Sequence, residues 1–162
     1  MPTATLGFGD IVLRLAVATL SGCLIGLNRD LHHKGAGMRT FGLVSLATAG
    51  ITIGTLLAVE TQGDNIGRVV QGVLTGIGFL GAGVIMHRAD TARVTGLTTA
   101  AAIWLAAAIA VVCGLGELLL AAVLVAFALA LLTLGLSVER LAERLFGKSA
   151  GAEQDPDEDG GR

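Results

Sequence analysis

Charge, aromatic residues, proline and cysteine are all scarce in this sequence, and each shortage excludes a class of protein. Of 162 residues only 15% are Asp, Glu, Lys or Arg, against roughly 25% in a soluble domain. Hydrophobic residues reach 53%, too many for a soluble fold this small to hide, because small domains keep a large surface fraction. The same apolar content excludes a disordered chain. Two cysteines are too few for a disulfide scaffold, and Cys23 and Cys113 read as small buried apolar groups. No nucleophile–base arrangement, phosphate loop or zinc-ligand spacing occurs, and His32-His33 lack a third ligand. The expectation is therefore neither an enzyme nor a cofactor protein. A net charge of -2 argues against a nucleic-acid partner. What remains is a one-domain, all-α integral membrane protein.

A spanning helix needs about 20 mostly apolar residues, and five stretches qualify: 10–27, 41–59, 69–86, 97–114 and 118–137. Together they define a transmembrane domain over 1–137. No Lys or Arg precedes Arg14 and no small-residue cleavage site follows the first span, so it does not read as a cleaved signal peptide. Orientation follows from the basic residues. Arg29, Lys34 and Arg39 lie between spans 1 and 2, Arg88 and Arg93 between spans 3 and 4, and Arg140, Arg144 and Lys148 after span 5. The opposite side holds only Arg68. This predicts the N-terminus outside and the C-terminus in the cytoplasm, in a multi-pass plasma-membrane protein. Residues 138–147 read as a short amphipathic extension, with Val138, Leu141, Leu145 and Phe146 near one face. It either lies on the inner membrane surface or is a solvated helix end. Residues 148–162 read as a disordered acidic tail.

Glycine is abundant, at 24 residues. Gly22-x-x-x-Gly26, Gly50-x-x-x-Gly54 and Gly72-x-x-x-Gly76 place small-residue notches in the first three spans, which let membrane helices approach closely. Span 3 carries Gly72, Gly76, Gly78, Gly81 and Gly83. Glycine weakens a helix by roughly 0.5–1 kcal/mol each relative to alanine, so something must compensate. Either neighbours grip span 3 closely as a central helix, or it bends and exposes carbonyls along a substrate path. From Leu118 to Leu134 span 5 is Ala, Leu, Val and Phe apart from Thr133, without a glycine notch, and reads as lipid-facing, leaving spans 1 to 4 as the core. The notches would serve a homo-oligomer as readily as one chain.

Several blocks then stand in order: Ile25-Gly26-Leu27-Asn28-Arg29-Asp30, Ala36-Gly37-Met38-Arg39-Thr40, Arg68-Val69-Val70-Gln71-Gly72, Gly76-Ile77-Gly78-Phe79-Leu80-Gly81-Ala82-Gly83, and Val94-Thr95-Gly96-Leu97-Thr98-Thr99 followed by Trp104. Over about 12–135 the sequence closely resembles the MgtC/SapB family of bacterial inner-membrane proteins. The resemblance implies five membrane helices, a link to magnesium homeostasis and, in pathogens, to virulence. It also implies an accessory role, at least one member resembling an inhibitor of the rotary ATP synthase rather than a pump. Two departures stand out. Asn28 and Asp30 occupy places where glutamate is frequent, and Asn65 stands where the family usually has an aspartate, with Asp64 one residue earlier. The soluble C-terminal domain of longer members is expected to be missing, with any regulation through it.

The residues that could carry chemistry are few. Arg14 either snorkels outward or pairs with Asp10 at i,i+4. Arg68, Gln71 and Thr75 share one face of span 3, and Thr98, Thr99 and Trp104 begin span 4; such groups either cement helix packing or line a path. Arg29, Asp30, Arg39 and Thr40 bracket the first loop with Arg93 opposite, a set that either fixes topology or binds a phosphate or lipid headgroup. Asp10, Glu60, Asp64 and Glu117 make the outer side acidic, which would concentrate divalent cations. Depleting that side of Lys and Arg produces the same asymmetry. No paired carboxylate lies at hydrocarbon depth, so a dehydrated magnesium site is not expected. The expected function is an inner-membrane accessory protein linked to magnesium or energy homeostasis. It would act in the lipid bilayer by contacting another complex such as the ATP synthase or a transporter. The alternative is an ion transporter or channel, for magnesium or another cation, with a path along span 3.

Overall fold

The computed structural model describes residues 6–58, 64–87 and 94–146. Its elements in chain order are α1 (Phe8–Leu31), α2 (Met38–Ala58), α3 (Asp64–Val84), β1 (Met86–His87), β2 (Val94–Thr95), α4 (Leu97–Leu115) and α5 (Leu118–Phe146). All five helices contain a stretch long and apolar enough to cross a membrane. Helices suit that setting because lipid offers no partner to an open backbone amide. They also run past the apolar stretches. α1 continues beyond Leu27 through Asn28-Arg29-Asp30, and α3 begins at Asp64, ahead of the expected Val69. Backbone hydrogen bonding carries a helix through a polar turn that hydropathy cannot register.

The strand pair between α3 and α4 was not expected. β1 and β2 pair antiparallel, Met86 opposite Thr95 and His87 opposite Val94. Gly96 follows with φ 92°, and a side chain there would run into the carbonyl of Val84. Only glycine combines that left-handed backbone with so close an approach.

The core is made by α1, α2 and α4, with Ala18, Ile25, Phe41, Ala49, Ala107 and Ile109 fully buried. Glycines let these helices touch through their backbones. A Cβ on Gly22 would lie 2.5 Å from the Phe41 carbonyl oxygen, and one on Gly26 would lie 2.6 Å from Met38 Cα. On α4, a Cβ on Gly114 would lie 2.7 Å from Thr52 Cβ of α2. α3 packs on α4 and α2 from outside this trio, and in its spanning stretch only 6% of the residues are buried. The expectation that spans 1 to 4 share the core therefore holds fully for α1, α2 and α4 and in part for α3, which contributes Ile77 and otherwise lines the flank.

The chain divides into two compact units, up to Leu129 and from Ala130. In the first, α5 buries only the narrow stripe Ala121, Val125 and Ala128, with Leu119 and Phe127 exposed. In the second, the backbone stays helical to Phe146. The acidic tail 148–162, Glu60 and the arginines at 88 and 93 lie outside the described residues.

Candidate functional site

Polar side chains gather at the two ends of the α1–α4 contact and along the outer face of α3. At the end where α1 starts, Arg14 pairs with Asp10 (2.9 Å) and donates from Nη1 to the Gly114 carbonyl (2.9 Å). The pairing is one of the two outcomes expected for Arg14; the bond to α4 was not foreseen. It satisfies a carbonyl in the last turn of α4, which has no intrahelical donor. The chain then turns at Gly116, φ 94°, where a Cβ would lie 2.8 Å from the Arg14 guanidinium carbon.

At the end where α1 stops, Arg29 and Asp30 part company. Asp30 Oδ2 accepts the Met38 amide (2.9 Å) at the first residue of α2, an N-cap interaction supplied from outside the helix. A side chain on Gly37 would collide with the Asp30 carboxylate. Arg29 turns inward instead. It is 3% exposed, and its Nη2 donates to Thr99 Oγ1 of α4 (2.6 Å). Asn28 is half-buried and its carbonyl accepts His32 Nδ1 (2.7 Å), so His32 finishes α1 rather than seeking a metal. Arg39 and Thr40 are exposed in the first turn of α2. The expected cluster of Arg29, Asp30, Arg39 and Thr40 is therefore not one surface site, because Arg29 belongs to the core and Asp30 is committed to α2. Of the span 4 residues, Thr99 joins Arg29, while Thr98 and Trp104 are exposed.

The α3 glycines contradict the expectation of a tightly gripped helix. Among the described residues, a Cβ on Gly72, Gly76, Gly78 or Gly83 would meet no atom within 4 Å, and of these five glycines Gly81 alone faces a neighbour, Ala100, at 3.5 Å. Arg68, Gln71 and Thr75 are exposed, and Thr75 Oγ1 merely donates back to the Gln71 carbonyl (2.7 Å). Phe79 is 81% exposed on the same helix. Between α2 and α3 runs an apolar groove of about 360 Å³, with Leu43, Ala47 and Ile51 on one wall, Gly72 and Gly76 on the other, and Thr48 behind. Loose α2–α3 packing at this level leaves the glycine notch empty. Among the described residues no three His, Cys, Asp or Glu side chains come together to hold a metal ion.

The model of the MgtC family matches residues 15–141, which include the Arg29–Thr99 end of the α1–α4 contact and all of α3 and begin one residue after Arg14. The chain belongs to the MgtC family. Its relatives include protein SrpB of Synechococcus elongatus, 44% identical over 116 residues, covering 64% of this chain and 62% of that protein. Protein MgtC of Salmonella typhimurium is 43% identical over 106 residues, 65% of this chain and 44% of its own length. The Escherichia coli protein named "Putative magnesium transporter YhiD" is 37% identical over 113 residues, 66% of this chain and 52% of its own length. The chain thus aligns with about half to three fifths of these MgtC-family relatives. No solved structure matches it significantly.

Proposed function

We propose that the chain is a magnesium-related accessory protein of a bacterial inner membrane, without enzymatic activity, which acts by lodging α3 against another membrane complex. The observation that carries this reading is the outward face of α3. A Cβ on Gly72, Gly76 or Gly83 would meet nothing within 4 Å among the described residues, while Arg68 and Gln71 are exposed on the same helix. Lipid is a poor neighbour for such a face, because bare glycine backbone and the Gln71 amide give acyl chains little to pack against. A partner helix, by contrast, fits closely over glycine. The magnesium association comes from the printed name of the E. coli relative and is extended to this chain as part of the proposal. The placement of Lys and Arg supports a cytoplasmic C-terminus and an external N-terminus.

Magnesium flux into liposomes holding the purified chain tests this reading against a transporter with its path along α3. An accessory protein leaves the vesicles silent, while Gln71→Leu and Gly76→Leu abolish its effect on growth at low magnesium without lowering its level in the membrane. Saturable uptake lost in Arg68→Ala would replace the accessory reading with the transporter.

A further inference from the structure

Arg29 carries a buried charge whose compensation is incomplete. Its side chain is 3% exposed, and its Nε is buried with no hydrogen-bond partner. The Thr99 hydroxyl that accepts its Nη2 is a dipole and not a counterion, and an unpaired guanidinium away from water is costly. Among the described residues no carboxylate neutralises it: Asp30 is held by the Met38 amide, and Asp10 by Arg14 at the far end of α1. The last carbonyls of α1 are taken as well. Asn28 O accepts His32 Nδ1, Arg29 O accepts the amides of His32 and Lys34, and Asp30 O accepts that of His33.

Thr99 brings a second source of positive potential to the same place. It is the third residue of α4, and Gly96 supplies no side-chain cap. The helical ladder of α4 begins with Ala100 donating to Gly96, so the amides of Leu97, Thr98 and Thr99 have no acceptor within the helix. A helix N-terminus carries about half a positive charge. A buried guanidinium and a helix N-terminus thus converge with no described anion between them, whereas the start of α2 has Asp30. Leu97 is 57% exposed and Thr98 is also exposed, which leaves this turn open to approach.

We infer that the junction of α1 and α4 binds a phosphate group, received by Arg29, the Thr98 and Thr99 hydroxyls and the first amides of α4. A tetrahedral oxyanion accepts several hydrogen bonds at once, which suits a forked guanidinium beside helix amides. Arg39, exposed in the adjoining first turn of α2, adds to the attraction. The phosphate is either free in solution or the phosphodiester of a lipid headgroup, and this inference stands apart from the role given to α3.

The test uses the full chain in phosphate-free dodecyl maltoside micelles, titrated with inorganic phosphate or with phosphatidylglycerol at matched ionic strength. At about a hundredfold excess over the dissociation constant, the unfolding midpoint rises by about 5 °C or more. A response to inorganic phosphate identifies a free-anion site, and a response to the lipid alone identifies a headgroup site. Arg29→Gln loses the response. Should that variant fail to fold, Arg29→Lys, which keeps the charge without the fork, shows it weakened at least severalfold. A wild-type chain indifferent to both probes overturns the inference, as does an Arg29→Lys variant that responds in full.

Discussion

Gly26 and Gly76 each close a four-residue glycine notch, yet they meet opposite surroundings. A Cβ on Gly26 would lie 2.6 Å from Met38 Cα, while one on Gly76 meets nothing. Gly26→Val should therefore destabilise the purified protein by about 1–3 kcal/mol or more, read as a lower thermal midpoint, because backbone cannot yield as a side-chain tip does. Gly76→Ala should keep or raise stability, by up to about 0.5–1 kcal/mol from helix propensity, so that any loss of function would report on a partner. Asp30→Ala removes the cap of α2 and should cost about 0.5–2 kcal/mol, with Asp30→Asn recovering much of it. The same thermal melts decide both pairs. At this scale the sequence was only half legible. It marks Arg29 and Asp30 as adjacent charges, but one helical step of about 100° separates them, and that angle sends one into the core and the other to α2. The spacing of a notch is likewise silent on which neighbour, if any, fills it.

Among the spanning stretches, that of α4 has the largest buried share and that of α3 the smallest. Arg14 bonds to Gly114 and Arg29 to Thr99, and the partners stand fifteen residues apart on each helix, or about 22 Å of rise. The two ties share one register, so α4 cannot slide along α1 without breaking both. Arg14→Leu should loosen the turn at Gly116 more than Arg68→Leu disturbs α3, a difference amide exchange can measure as faster exchange near 112–118 against none near 68. The five spans were readable because hydropathy reports helix existence directly. The rank of α3 was not, since its mixture of apolar, glycine and polar residues describes a buried helix and an interface helix equally well. The β1–β2 pair escaped notice because two residues per strand give no alternation to detect.

For the whole molecule, the basic residues predict which end faces the cytoplasm. In a chain freed of Cys23 and Cys113 by alanine substitution, a cysteine at Glu117 should react with an impermeant maleimide on intact cells, and one at Lys34 only after permeabilisation. The reverse pattern would invert the orientation while leaving the packing unchanged. The doubled arginine tie also dictates an order of events during synthesis. Arg14 and Arg29 enter the bilayer with the first helix, but their partners on α4 lie 100 and 70 residues downstream. Until the fourth helix leaves the insertion machinery, both cations wait without those acceptors. A chain truncated before Leu97 is therefore expected to be degraded faster in the membrane than one that extends past Gly114, which pulse-chase labelling of the two lengths would measure.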